Sequence, residues 1–327
     1  MKPLVVLTHW VHPEVLACLR KTCRVVANST RESWPHQTLL KNAKQADALM
    51  VFMPDRVDEA LLKACPGLKV IGAALKGFDN IDVEACTRRK VRVTFVPGLL
   101  TIPAAELTIG MMIALGRNIL SGDRHVRSGS FNGWRPTFYG TGLAGETVGI
   151  LGMGVIGQAI AQRLQGFEAR VLGYDAVQLP ARATARLGVQ HASLEQVLKQ
   201  STYVVVGLPL NAGTRHLIGK KAIQCMKRGA LLINIGRGSV VDEAAVAEAL
   251  FSGQLGGYAA DVFEFEDLSL TDRPKKIPRT LLRSPQTLLL PHLGSAVEKV
   301  RLDISMSAAQ SIVEVLSGRI PQTCINE

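Results

Sequence analysis

Three polar side chains follow apolar runs late in the chain, and together they could move a proton beside an anion. Arg237 lies in Ile235-Gly236-Arg237-Gly238-Ser239, Glu266 ends Asp261-Val262-Phe263-Glu264-Phe265-Glu266, and His292 lies in Pro291-His292-Leu293-Gly294-Ser295. Histidine titrates near neutral pH and can act as acid or base. A carboxylate on its other ring nitrogen would fix the tautomer and raise its basicity. An arginine can hold an oxyanion through two parallel hydrogen bonds. Taken singly, each has a plainer reading as a surface arginine, a solvated loop acid and a turn residue. The chemistry is in the combination.

A second constellation points to a dinucleotide. The apolar run Thr147-Val148-Gly149-Ile150-Leu151 leads into Gly152-Met153-Gly154-Val155-Ile156-Gly157, the G-x-G-x-x-G spacing between a strand and a helix. Gly152 suits a tight turn, Gly154 a close approach of pyrophosphate, and Gly157 the packing of helix on strand. The helix N-terminus adds unpaired N–H groups and partial positive charge. Alone the motif is weak. Here the next apolar run, Arg170 to Tyr174, ends at Asp175, an acid placed to accept from the adenosine ribose and to repel a 2′-phosphate. NAD is the cofactor this pattern predicts.

Parallel strands and crossover helices must position these groups. Continuous apolar runs at Leu4–Leu7, Arg24–Ala27, Ala48–Phe52, Lys69–Ala74 and Arg92–Val96 read as buried strands. Amphipathic stretches such as Pro13–Lys21 and Asp58–Ala64 separate them. A second series reads Thr147–Leu151, Ala169–Tyr174, Tyr203–Leu208, Ala230–Ile235, Gly257–Phe263 and Thr287–Pro291, preceded by an apolar helix over Ile102–Asn118 and followed by one over Val297–Leu316. The class is α/β, with two doubly wound parallel-sheet (Rossmann-like) domains, and the strand ends are where ligands belong. Asp267–Pro278 reads as a charged surface excursion.

Composition narrows the function classes. The 327 residues are 47% hydrophobic and 20% charged, which suits two folded domains rather than disorder. The N-terminal apolar run is too short for a signal peptide and no run reaches membrane-spanning length, so a cytoplasmic protein without a membrane partner is expected. Six scattered cysteines show neither disulfide nor metal spacing, and no metal is expected; Cys225, near a helix end, is expected to pack. The net charge of +11 comes from dispersed lysines and arginines, which favours attraction of a small anion over a nucleic-acid footprint.

In type and order, the glycine motif, G-R-G, D-V-x-x-x-E and P-H-x-G-S segments resemble those of the D-2-hydroxyacid dehydrogenase family, over essentially the whole chain. The resemblance implies that Arg237 binds substrate, that His292 is the acid/base and Glu266 its partner, and that Asp261 meets the nicotinamide carboxamide. It adds Lys76, Leu100 and Pro209 to Gly152 through Gly157 and Asp175 on the cofactor side. It implies a substrate domain of residues 1–98 and 292–327, with the nucleotide domain, 99–291, inserted into it. A homodimer is implied too, and the apolar helix over Ile102–Asn118 fits that unless it is buried within one chain.

One departure bears on substrate. Lys76, in Ala74-Leu75-Lys76-Gly77-Phe78-Asp79-Asn80, stands where most members carry a small or uncharged residue. This segment, Met53-Pro54-Asp55-Arg56-Val57, Phe138-Tyr139-Gly140-Thr141-Gly142, Gly294-Ser295-Ala296-Val297, Trp134 and Arg301 closely resemble the phosphite-oxidising (phosphonate dehydrogenase) branch. That resemblance names Met53, Lys76, Gly77, Trp134, Tyr139, Arg237, Ser295 and Arg301 as substrate-binding residues. For Met53 and Trp134, ordinary packing is an equally good reading. Phosphite is a compact, largely dianionic oxyanion, so a second and third cation suit it better than a monocarboxylate. The expectation is therefore oxidation of phosphite to phosphate with NAD and water. Two alternatives stand beside it: a glycerate- or hydroxypyruvate-type hydroxyacid dehydrogenase, and a dinucleotide-sensing protein without turnover.

Overall fold

The computed structural model describes residues 2–326. Its strands are β1 (Leu4–Leu7), β2 (Arg24–Ala27), β3 (Ala48–Val51), β4 (Val70–Ala73), β5 (Arg92–Thr94), β6 (Thr147–Leu151), β7 (Arg170–Tyr174), β8 (Val189–His191), β9 (Tyr203–Val206), β10 (Ala230–Asn234), β11 (Leu255–Ala260) and β12 (Thr287–Leu289). They form two sheets, β2-β1-β3-β4-β5 and β12-β11-β10-β9-β6-β7-β8, and every pairing between these strands is parallel. The chain divides into one unit of residues 1–100, 268–271 and 296–327, and another of 101–267 and 272–295.

In the first unit β1, β3 and β4 are almost wholly buried, which accounts for their continuous apolar sequences. The helix Glu298–Leu316 returns to this sheet and packs on β3, β4 and β5. Its small residues Ala308 and Ala309 are buried, and Ile312 lies so close to Gly72 of β4 that a Cβ there would stand 2.6 Å from it. The strand order reverses between β1 and β3, and a ligand is expected at such a point beyond the strand ends. Met53 follows β3 there, and Lys76 lies three residues beyond β4.

The second sheet has apolar clusters on both faces. The helix predicted over Ile102–Asn118 spans Thr101–Gly116 and packs on β10, β11, β12 and the helix Val155–Leu164, burying Ala105, Thr108, Met111 and Met112. Ile102 at its start stays 49% exposed and Ile113 and Leu115 are only partly buried, so the helix is not wholly filled within its own unit. The strand order reverses between β6 and β9, so the turn after β6 carries the glycine motif at the reversal.

The expected domain joins need correcting. The first falls after residue 100 rather than 98, and residues 292–295 belong with the second unit rather than the first. The reason is electrostatic: the Asp261 carboxylate after β11 accepts from the Leu293 N–H at 2.6 Å and the Gly294 N–H at 2.8 Å, tying the His292 turn to the sheet it leaves. Within the expected surface excursion, Asp267 is buried, because its carboxylate accepts from the Ser239 N–H at 2.7 Å. Cys225 ends the helix Lys220–Cys225 exposed rather than packed. No helix among the described residues is long and apolar enough to cross a membrane.

Candidate active site

The glycine turn is shaped to receive a pyrophosphate. Gly152 has φ +102°, and a Cβ on it would meet the Gly207 carbonyl at 2.6 Å; a Cβ on Gly157 would meet the Gly152 carbonyl at 2.0 Å. Gly154, at the N-cap of the helix Val155–Leu164, has open space where its Cβ would stand, and no side chain caps the helix. The first turn therefore leaves N–H donors for an anion. Asp175 lies directly after β7. One carboxylate oxygen accepts from the Met153 N–H at 2.7 Å and the other from the Val177 N–H at 3.2 Å. The acid is thereby held beside the glycine turn, each oxygen keeping a lone pair for a ribose hydroxyl. Met153 is buried, Ile156 packs on the core, and Val155 is exposed on the open side. These residues fit a dinucleotide.

The acid–base pair is assembled by the same sheet. His292 Nδ1 lies 2.8 Å from Glu266 Oε2, and Glu266 Oε1 accepts from the Phe263 N–H at 2.9 Å. Glu266 thus fixes the Nδ1–H tautomer and leaves Nε2 to take or give a proton. His292 sits at φ +57°, the left-handed region, which histidine enters more readily than most residues. The two hydrogen bonds to Asp261 hold the turn there. Burial pushes the Asp261 carboxyl up, while the two amides and His292 draw it down. Both oxygens of Asp261 are thus engaged with backbone, which makes it first of all the brace of the His292 turn.

Arg237 is positioned by a residue that carried no sequence signal. Asn234, fully buried at the end of β10, donates to the Arg237 carbonyl at 3.0 Å and accepts from the Gly236 N–H at 3.2 Å. Gly238 is required by contact, since a Cβ on it would stand 1.9 Å from the Phe263 carbonyl carbon. The turns bearing Arg237 and Glu266 therefore touch backbone to backbone.

The pattern that defines the "D-isomer specific 2-hydroxyacid dehydrogenase, NAD binding domain" matches residues 109–294. The chain is 37% identical to a glyoxylate reductase of Aeropyrum pernix over 99% of its own length and 96% of that protein's. This chain belongs to the D-2-hydroxyacid dehydrogenase family. Among solved structures, it superposes on the TT0316 protein of Thermus thermophilus with TM-score 0.89 at 32% identity, covering 98% of this chain and 99% of that one. It superposes on Aquifex aeolicus D-lactate dehydrogenase, complexed with NAD and lactic acid, with TM-score 0.86 at 25% identity over 99% of each chain. Membership makes NAD the cofactor and the second unit its binding domain.

The family's other expected site residues fall in two places. In the first unit, Asp55 accepts from the Phe52 N–H at 2.7 Å and Asn80 donates to the Asp55 carbonyl at 2.7 Å, bracing the half-buried Met53 turn. Lys76 and Gly77 are half-buried beyond β4. Burial lowers the Lys76 pKa, and none of the described carboxylates offsets it. Arg301, in the helix Glu298–Leu316, lies with its guanidinium 5.8 Å from the Phe52 ring centroid, and burial lowers its pKa as well. His9 meets the same ring edge-on at 5.3 Å, a neighbour the sequence did not advertise. Leu100 packs on the first unit's core. In the second unit Ser295 is half-buried after the His292 turn, and Pro209 is exposed after β9. Trp134 and Tyr139 are 82% and 74% exposed, so this chain packs neither of them against itself.

Proposed function

We propose that this chain oxidises phosphite to phosphate with NAD, and the observation that carries the reading is Lys76. A half-buried ammonium whose charge burial disfavours, with none of the described carboxylates compensating, is stabilised by an anionic ligand. Arg301, also disfavoured by burial, supplies a second cation in the first unit. Each charge-assisted hydrogen bond to an oxyanion contributes about 1.5–3 kcal/mol, and a dianion can use more of them than a monocarboxylate. His292, held by Glu266, takes the proton of the attacking water as the P–O bond forms. The P–H bond breaks with its electron pair, and NAD, when bound, supplies the hydride acceptor. The products are phosphate, NADH and one proton.

A second reading, interconversion of a 2-hydroxy acid and a 2-oxo acid with the same His292, Glu266 and Arg237, is favoured by the relatives. The full-length Aeropyrum pernix relative is named glyoxylate reductase, which backs a glyoxylate- or glycerate-type substrate better than phosphite. The deciding experiment follows NADH formation with phosphite, glycolate, glycerate and lactate, and NADH consumption with glyoxylate and hydroxypyruvate. Turnover of phosphite with Lys76→Ala raising KM steeply supports the first reading. Turnover of the organic acids with phosphite untouched assigns the protein to the second.

A homodimer belongs to the same proposal. The exposed aromatics Phe131, Trp134 and Tyr139 support it as a surface that another chain would cover. Sedimentation at twice the 35.3 kDa chain mass, lost on Trp134→Ser with Tyr139→Ser, is the expected result; a monomer with full activity overturns it.

A further inference from the structure

The turns bearing Arg237 and Glu266 are joined by more than their glycine contact. Glu243 opens the helix Glu243–Phe251, and its side chain is almost fully buried. Glu243 Oε1 accepts from the Glu264 N–H at 2.8 Å, and Glu264 Oε1 accepts from the Glu243 N–H at 3.0 Å. The two acids thus hold each other's backbone in a reciprocal pair. Around them, His216 Nε2 lies 2.8 Å from the other Glu264 oxygen, and the His216 N–H donates to the Ser239 carbonyl at 2.7 Å. Ser239 belongs to the short turn Gly238–Val240 that follows Arg237, and Glu264 begins the turn Glu264–Glu266.

We infer that Glu243 is a positioning residue: paired with Glu264, it sets the register between the turn that presents Arg237 and the turn that presents Glu266 to His292. The inference rests on the family reading of those three residues and adds what aligns them. A helix start needs only a cap, and Asp242 already caps this one by accepting from the Ala245 N–H at 3.0 Å. The Glu243 carboxyl reaches instead to the Glu264 amide, next to the acid–base turn. Its second oxygen is buried with no hydrogen-bond partner among the described residues, an arrangement an ionised carboxylate tolerates poorly. Burial pushes its pKa up to about 7, and the Glu264, Asp267 and Glu266 carboxylates push the same way. Much of the population at neutral pH is then the uncharged acid, which a glutamine reproduces in shape and in the oxygen that meets Glu264.

The test compares Glu243→Gln, Glu243→Asp and Glu243→Ala in the full chain, with kcat counted per NAD-binding site titrated by NADH fluorescence. The substrate is whichever of phosphite and the organic acids named above the unmutated protein turns over. Glu243→Gln should keep kcat within about threefold. Glu243→Asp, one methylene short, and Glu243→Ala should lose tenfold or more in kcat and raise the substrate KM, with the NADH Kd within twofold. A purely structural role would lower the number of NAD-binding sites but leave kcat per site unchanged, and that result overturns the inference. Should Glu243→Ala fail to fold, the aspartate–glutamine contrast decides, and equal losses in both overturn it. An unmutated protein that turns over neither phosphite nor any of those organic acids refutes the reading of Arg237, Glu266 and His292 instead, so the two failures are distinct.

Discussion

Replacing Glu243 with glutamine should stabilise the protein, and the gain should grow with pH. In the unfolded chain this carboxyl titrates at its ordinary value of 4.5; in the fold, burial holds it near 7. A raised carboxyl pKa means the fold prefers the neutral acid. The stabilising contribution is complete below 4.5, declines as pH rises from 4.5 to 7 and is flat above that. The gap of roughly 2.5 units at 1.36 kcal/mol each amounts to about 3 kcal/mol. Glutamine does not titrate, so its advantage should rise from under about 1 kcal/mol at pH near 5 to about 3 kcal/mol at pH near 8. Glu264, Asp267 and Glu266 face this group and remain in both proteins. Urea unfolding at several pH values measures it, with the transitions fitted separately because two units need not unfold together. A stability difference that stays constant from pH near 5 to pH near 8 would refute the reasoning, because Glu243 would then titrate alike in both states.

Other expectations follow from the site. Asp175→Ala with Ala176→Arg should narrow the preference for NAD over NADP, since it removes the carboxylate that a 2′-phosphate would meet; equal use of both cofactors by the unmutated protein would contradict its role. His292→Ala should cut kcat by about 10²–10⁴-fold with the NADH Kd almost unchanged, and Glu266→Gln should cost less; a near-normal rate in His292→Ala moves the proton acceptor elsewhere. Asp261→Ala should lose about 1–3 kcal/mol of stability, as the Leu293 and Gly294 amides lose their acceptor, and kcat should fall with it. Unchanged melting and kcat would remove its bracing role.

Much of this fold was legible because buried parallel strands are written as unbroken apolar runs. The strands β3, β4, β5, β9, β10, β11 and β12 read past their C-terminal ends for a related reason. Phe52, Leu208, Ile235 and Pro291 continue the apolar run past the last ladder residue, into the loops where ligands bind. The strand β8 was missed because only Val189 of its three residues is buried, and Gln190 and His191 give an edge strand no apolar signature. The glycine motif, Asp175, Arg237, Glu266 and His292 stood out by residue type. Asn234 and Glu243 did not. Asn234 ends an apolar strand as a polar residue often does, and Glu243 follows a helix cap, where an acid ordinarily faces water and favours the dipole. Only their burial shows that both turn inward. Trp134 and Tyr139 carried a resemblance but no pattern, and the fold leaves both exposed.

His292 hangs from Asp261, and Glu266 follows that acid by five residues on the same loop, so the acid–base couple travels as one piece with the dinucleotide turn. Lys76, Met53 and Arg301 belong to a separately cored unit. Heredity can therefore edit the two independently. A chimera that keeps residues 101–295 and takes the flanking segments from a relative would keep the dinucleotide turn, Arg237, Glu266 and His292 of this chain and replace Met53, Lys76 and Arg301 with the donor's residues.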